Sequence, residues 1–440
     1  MANWKKIMMA SSGGGSYWLN ELTPSTSVAS FTGMNLLSTG DPVVVGKQEN
    51  GTYDNIYVAR VSTDDGSVTW SKAISFGYPT GQTLSNPRDP AVDGSDNIYI
   101  CHDGTQSGSS YISDWAIEKV SSSGALSTYE ALTGGSGYDR ADYILWNGSN
   151  LVNTGDFGNT NYVCILRLNT SLGVTGQNQF TGSVMDPIWA YYDGSNYYVC
   201  ARKNGFYGFP AYTLKFNSSY ALQWCSGLGN DVSGAASSPF FGAAIPIGTD
   251  VYSFGHTITG KVSNSSYSGL MWKANSSGTS QYQKVLGDNT GQQLTSIRNA
   301  AKTSDNKIII GGWTRPTSGS PNQGYLAKID PSGPSIDWEV LISDSGGASR
   351  WINSVKVDDD DNIFAAGYQF MIKLPPDGSI TGTYGDLTIQ SVSWGLKNLG
   401  TNENTDTQSL STATGPTVGP TYGLSWSIAN SGYSETITDL

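Results

Sequence analysis

The stretch KIDPSGPSIDW, Lys328–Trp338, sets a basic and an apolar residue, a turn cluster and a second alternating run side by side. Pro, Gly and Asp supply turn chemistry, and the alternation sends one face of each flanking run inward, so the stretch reads as a β-hairpin. The pattern returns as RVSTDDGSVTW from Arg60, KVSSSGALSTY from Lys119, RLNTSLGVTG from Arg167 and KFNSSYALQW from Lys215. KANSSGTSQY from Lys273 and KLPPDGSITG from Lys373 complete the series. The seven starts are spaced by 59, 48, 48, 58, 55 and 45 residues. Self-similarity at such a period marks a repeat architecture.

Two further elements recur upstream of each hairpin. One reads PVVVG at Pro42, NIYIC at Asn97, LVNTG at Leu151, YYVCA at Tyr197, VYSFG at Val251, IIIGG at Ile308 and NIFAAG at Asn362. The other precedes it: MNLLS at Met34, PAVD at Pro90, YILW at Tyr143, IWAYY at Ile188, AAIPI at Ala243, NAAK at Asn299 and SVKVD at Ser354. Each unit is therefore strand, tight turn, strand, loop, strand, tight turn, strand, and no segment carries a helical period. The expectation is an all-β protein, a β-propeller of four-stranded antiparallel blades. WKKIMMA (Trp4–Ala10), SYWLNELTPST (Ser16–Thr26) and SVASFTG (Ser27–Gly33) read as the second, third and fourth strands of one more unit. LTIQSVSW (Leu387–Trp394) reads as its missing first strand. That closure predicts eight blades, one split between the termini, with 1–394 as the propeller; seven blades and a separate N-terminal hairpin is the alternative. Residues 395–440, rich in Ser, Thr, Gly and Pro, read as an extended C-terminal arm.

AVDGSDNIYI followed by a KIDPSG-type hairpin resembles the bacterial β-propeller repeat families of the SBBP and NHL groups, over about residues 34–385. That resemblance implies a fold and is nearly silent on function, because propellers host enzymes, receptors and scaffolds alike. The opening MANWKKIMMASSGG, with the Thr/Ser-rich end, resembles virion proteins of tailed bacteriophages, marine ones in particular. It implies a particle-bound protein: a tail, fibre or capsid-surface propeller.

Composition fits that setting. Only 14% of residues are charged, against 38% hydrophobic, and the chain holds 54 Gly, 25 Tyr and 13 Trp. Net charge is −12, which argues against nucleic acid and anionic membrane surfaces as partners. The apolar run Ile7–Ala10 is too short for a signal-peptide core, and no segment reads as a membrane insertion. The expected location is the virion, with secretion or the cell surface as alternatives. Cys101, Cys164, Cys200 and Cys225 form no Cys-x-x-Cys pair and read as small strand hydrophobes. His102 and His256 have no companions for a metal or hydrolase set. No metal or other cofactor is expected.

Loop length picks the working face. The turns within strand pairs one–two and three–four are short and open on one rim. Several of the other connections are long and open on the opposite rim, where binding residues usually sit. Arg202, Phe206, Tyr207, Phe209, Trp313 and Arg315 lie on them, aromatic faces with hydrogen-bonding groups that suit sugar rings; the plainer reading is that they pack their own loops. Arg88, Arg140, Arg298 and Arg350 each stand just before a first strand, which starts at the channel mouth on that rim. Four guanidiniums there suit a carboxylate or phosphate; the plainer reading is that each pairs with an Asp or carbonyl nearby. STDDGSVTW (Ser62–Trp70) nearly matches the Asp-box of sialidase-type propellers, a structural element, and departs from it in spacing. The run Asp358–Asp361 reads as a solvated turn or, less simply, a calcium loop. No catalytic set is found, and the reading is a non-enzymatic protein that binds a host glycan or other virion subunits, itself included through the arm. A secreted glycan-active enzyme and a bacterial surface adhesion module are the alternatives.

Overall fold

In the computed structural model the described residues are 4–9, 16–22, 28–49, 54–75, 87–105, 113–133, 140–156, 163–180, 185–203, 211–228, 239–258, 267–286, 294–316, 319–398, 427–428 and 436–439. They form seven antiparallel sheets and no helix. Each sheet is one blade of a propeller, its first strand against the axis. Blade I is Val28–Leu36, Pro42–Glu49, Asp54–Val61 and Val68–Ser75. Blades II to VI follow in chain order and begin with Ala91–Val92, Arg140–Trp146, Met185–Tyr192, Phe240–Ile247 and Leu294–Lys302.

The seventh blade corrects the expected closure. Ile352–Val357, Ile363–Gly367 and Phe370–Leu374 are its three inner strands. Tyr17–Leu22 pairs antiparallel with the third of them, and Trp4–Met9 pairs outside that. The N-terminal strands thus complete blade VII as strands four and five, so the ring has seven blades rather than eight. SVASFTG belongs to the first strand of blade I. LTIQSVSW contributes Leu387–Val392, which adds to the outer edge of blade VI instead of founding an eighth blade. The seventh hairpin makes its turn at Pro375–Gly378, but the position a fourth strand would take is already held by Tyr17–Leu22.

A recurring tryptophan shows why. The fourth strands of blades I, IV and VI carry Trp70, Trp224 and Trp338, the last residues of the hairpin repeat. Each indole Nε1–H donates to a carbonyl in the hairpin of the next blade: Ser122 at 3.0 Å, Ser276 at 2.9 Å and Pro376 at 3.3 Å. The rings lie on Gly124, Gly278 and Gly378, where a Cβ would fall within 2.9 Å of ring carbon. Trp18 makes the same clamp from blade VII to blade I, donating to Thr63 O at 3.1 Å over Gly66. Blade V uses Tyr282, whose hydroxyl donates to Pro331 O of blade VI at 3.4 Å. The near Asp-box in blade I is one of these hairpins, so its role here is packing between blades.

Arg350 adds a polar latch. Its Nη2 donates to Glu21 Oε1 at 3.0 Å and to Asp344 Oδ2, and its Nη1 to Gln369 Oε1 at 2.9 Å. The N-terminal strand, blade VI and blade VII meet on that one guanidinium. Within the C-terminal stretch, Leu396–Asn398, Ser427–Ile428 and Thr436–Asp439 pair with outer strands of blades V, II and I of this same chain.

Trp18 is fully buried among Phe31, Tyr57 and Phe364 of blades I and VII. Trp18→Ala removes both a clamp and a core ring, and is expected to cost about 3–5 kcal/mol in urea unfolding. Deleting residues 1–22 bares the third strand of blade VII as an open edge and is expected to give aggregation in size-exclusion chromatography. A soluble truncation of unchanged stability would refute this account of ring closure.

Candidate functional site

One backbone irregularity shapes the channel mouth. In six blades the first strand bulges at the same point, leaving one residue unpaired against the second strand. The extra residues are Thr32, Asp142, Ile188, Gly242, Arg298 and Asn353. A bulge turns its extra residue out of the pleat, and five of these six line one cavity at the mouth; the sixth is glycine.

The residue opposite the bulge explains the sequence. It is Gly46, Gly155, Ala201, Gly255, Gly312 or Gly367, the closing residue of the second repeated element. There a first-strand carbonyl approaches so closely that a Cβ on Gly155 would meet Arg140 O at 1.9 Å, and one on Gly312 would meet Ser296 O at 2.0 Å. The terminal glycine of LVNTG and IIIGG is therefore the local condition for the bulge.

Blade II departs from the rule. Its first strand is only Ala91–Val92, and the preceding Pro87-Arg88-Asp89-Pro90 runs into the channel. Gly33 of blade I makes room: a Cβ there would sit 2.4 Å from the Arg88 carbonyl. Asp89 is 3% exposed and carries a carboxylate deep in the channel. Met34 N–H (3.1 Å) and Ser354 Oγ (2.6 Å) donate to its Oδ1. Tyr143 Oη (3.0 Å), Asn299 Nδ2 (2.9 Å) and Lys356 Nζ (2.7 Å) donate to its Oδ2. Burial pushes this carboxyl up, but the Lys356 charge and the donors outweigh it and hold it below the usual range. Burial and the facing carboxylate push the Tyr143 phenol well up.

Above this floor opens a cavity of about 860 Å³. Its wall brings together five of the sequence candidates: Arg88, Arg140, Arg202, Arg298 and Trp313. Lys47, Trp189, Phe240, Asn299 and Trp351 join them. Arg140 lies 3.3 Å from Asp142 Oδ1 and 3.6 Å from Asp156 Oδ1, and Arg202 Nε donates to the buried Asp186 at 3.1 Å. Arg140 thus sits against aspartates, one of them its near neighbour in sequence, whereas Arg202, read as a sugar contact or as packing its own loop, pairs with Asp186 of the adjacent strand. Arg298 lies over the Phe240 ring at 5.7 Å, and Phe240 stacks on His256 at 5.1 Å. Burial, and then the Arg298 charge, bring the His256 imidazole down to about 3, so it is neutral at physiological pH, with Nδ1 2.9 Å from Ser296 Oγ.

Two candidates fall elsewhere. Arg350 is 4% exposed and held by Glu21 and Asp344 in the ring closure. Arg315 stands behind the wall, donating to Asn322 Oδ1 at 3.0 Å. Phe206, Tyr207 and Phe209 lie outside the described residues. The bulge residues Thr32, Asp142, Ile188 and Asn353, and Trp189, Phe240 and Trp351 beside them, escaped the sequence reading. The terminal glycine of the second element was the signal that locates them.

The wall also holds orphaned polar atoms. Among the described residues the buried Trp189 Nε1–H has no acceptor, and Asn299 Oδ1 has no donor. Both residues line the cavity. Among the described residues no group of three or more His, Cys, Asp or Glu could hold a metal ion. All four cysteines are free; three are buried and Cys225 is partly so. In the run Asp358–Asp361, Asp358 Oδ1 accepts the backbone N–H groups of Asp360 and Asn362, as a turn requires.

No protein-family model matches the chain, and no curated protein does. Solved structures that resemble it include the WD40 β-propeller domain of Doa1, at 9% identity and a TM-score of 0.47, covering 78% of this chain and 92% of that one. Domains 1–2 of the extracellular part of Drosophila Semaphorin 1a resemble it at 10% identity and a TM-score of 0.46, over 81% and 87%. The periplasmic gluconolactonase PpgL of Pseudomonas aeruginosa does so at 13% identity and 0.45, over 80% and 99%.

Asp89 allows a test of the channel floor. Its folded-state value lies below the ordinary carboxylate value of ~3.9. The stability it contributes is therefore fully present above that value and lost as pH falls through the folded one. Asp89→Asn is expected to lower stability at pH 7 by about 2–4 kcal/mol, leaving the partly buried Lys356 without its partner. The same variant should lose less stability than the parent on acidification below about pH 4. Parallel urea titrations at neutral and acid pH check both.

Proposed function

We propose that the protein is a non-enzymatic binding propeller whose channel mouth takes a sugar terminus. The observation that carries this reading is the pairing of aromatic faces, Trp189, Trp313 and Trp351, with an orphaned buried donor and acceptor, Trp189 Nε1–H and Asn299 Oδ1. A polyhydroxylated ring offers apolar faces to the former and hydroxyls that both accept and donate to the latter. The volume of about 860 Å³ suits a short oligosaccharide rather than a macromolecular surface.

Binding is favoured over hydrolysis by the state of the carboxylates. Glycoside hydrolysis wants a pair of acids with contrasting protonation at a defined separation. Here Asp89 already accepts from five donors, and Asp142 and Asp186 each face an arginine. The setting we propose is a tailed-phage particle, where a tail, fibre or capsid-surface propeller would engage a host glycan or neighbouring virion subunits. The phage-like N-terminal stretch and the low charge content support that setting. A secreted glycan-active propeller is the second reading, favoured by the depth of the cup.

The test is a glycan panel read by both binding and turnover. Retained, unaltered glycan, with Trp313→Ala weakening it at least about fivefold, is the expected outcome. Released sugar would establish the enzyme reading instead. Antibody against this chain should decorate tail or capsid of purified phage from the source sample; undecorated particles would remove the virion setting.

A further inference from the structure

We infer that residues 399–426 run along the outer edges of blades IV and III and add a fifth strand to each, so that the C-terminal segment belts the ring. The first ground is which edges are covered. Trp4–Met9 lies outside the fourth strand of blade VII, Leu387–Val392 outside that of blade VI and Leu396–Asn398 outside that of blade V. Ser427–Ile428 does the same for blade II and Thr436–Asp439 for blade I. Among the described residues no strand pairs outside Leu222–Leu228 of blade IV or Val174–Phe180 of blade III. A bare edge presents a row of backbone donors and acceptors that a further strand can take.

The second ground is the order of travel. From Leu387 onward the segment visits blade VI, then V, then II, then I, opposite to the order in which the chain built them. Blades IV and III lie between V and II in the ring. The departure is pinned. Glu339, 3% exposed, accepts from the N–H groups of Trp394 and Gly395, the latter at 3.0 Å. The Trp394 ring stacks on Tyr325 at 5.7 Å. These contacts turn the chain out of blade VI towards blade V. Residues 399–426 lie outside the described residues, and the strands on either side of them sit on blades V and II.

The third ground is register. Each of the four C-terminal strands runs antiparallel to its host and crosses it at one shared level, four residues past the position opposite the basic residue of the hairpin. The pairs there are Ile342 with Ile389, Leu286 with Leu396, Leu132 with Ile428 and Ile74 with Ile437. All eight residues are Leu or Ile. The same level falls at Leu228 in blade IV and Phe180 in blade III, apolar again. One blade step takes 7 residues from Ile389 to Leu396 and 9 from Ile428 to Ile437. Leu396 and Ile428 are 32 apart, room for the three steps from V to II. Between 403 and 421, at least one such step from either end, the sequence holds Leu410 and Val418 and no other Leu, Ile or Val. They are 8 apart, one step, and fall opposite Leu228 and Phe180. Pro416 and Pro420 flank Val418 at two residues on either side, a spacing that a last strand accommodates with that side to solvent.

Amide hydrogen exchange of the full chain, read by mass spectrometry on outer-strand peptides, tests the inference. Leu222–Leu228 and Val174–Phe180 should exchange as slowly as Ser335–Asp344, the outer strand that Leu387–Val392 covers. Exchange at least about tenfold faster at the first two would overturn the inference. A full-length variant with residues 403–421 replaced by Gly and Ser supplies the second arm. It should speed exchange at blades IV and III at least about tenfold and leave Ser335–Asp344 unchanged. Equal rates in parent and variant would assign the protection to another part of the chain and overturn the belt. Protection that fades on dilution, together with a dimer mass in light scattering, would give these edges to a second copy and overturn the placement within one chain.

Discussion

A single carboxylate ties the ring together. Asp89 reaches into the channel from blade II and accepts hydrogen bonds from blades I, III, VI and VII. A propeller has no central core of its own; its blades pack side by side and leave a hole. Here the hole is bridged by a group that satisfies donors from both ends of the chain at once. Lys356 compensates the charge, which keeps a buried anion tolerable. Asp89 and its donors thus form a floor to the cavity at the long-loop rim. Everything attributed to the mouth depends on that floor.

Six bulges then make the cup wall unlike the blades that build it. The blades are near-copies, their inner strands buried on both faces, and a pleated strand alone would show the axis a repeating surface. The bulge adds one residue per blade that belongs to neither face of the pleat. Its identity is free to vary, from Thr32 and Asn353 to Ile188 and Arg298, while a small residue opposite, glycine in five blades and Ala201 in the sixth, keeps the backbone the same. Recognition and folding are thereby carried by different positions in each repeat.

Much of this was legible in the sequence. The hairpin series fixed the blade pattern because turn residues and alternation are local properties. The arginines before the first strands pointed to the mouth, and five of the ten named candidates, Arg88, Arg140, Arg202, Arg298 and Trp313, do line one cavity. Blade number was misread because SYWLNEL looked like any third strand. Its tryptophan, alone in a segment without a hairpin, was the mark of a fourth strand, since Trp70, Trp224 and Trp338 occupy that place elsewhere. Arg350 stood in the right sequence position yet serves the closure, because Glu21 and Asp344 reach it first. No local pattern announces a partner 329 residues away. The floor was invisible for the same reason: Asp89 draws its donors from across the ring.

The closing of blade VII sets an order in time. Glu21 and Arg350 are separated by 329 residues, and chains grow at ~5–20 residues per second. Strands made first thus wait roughly a quarter of a minute to a minute for the sheet that receives them. Throughout that interval Trp18 and Leu19, both fully buried in the finished ring, are without their packing. Lys5 and Lys6, on the outermost strand, place charge on the edge that waits longest. Joining these strands protects the finished ring from fraying, and it defers the closing of blade VII until Phe370–Leu374 has left the ribosome.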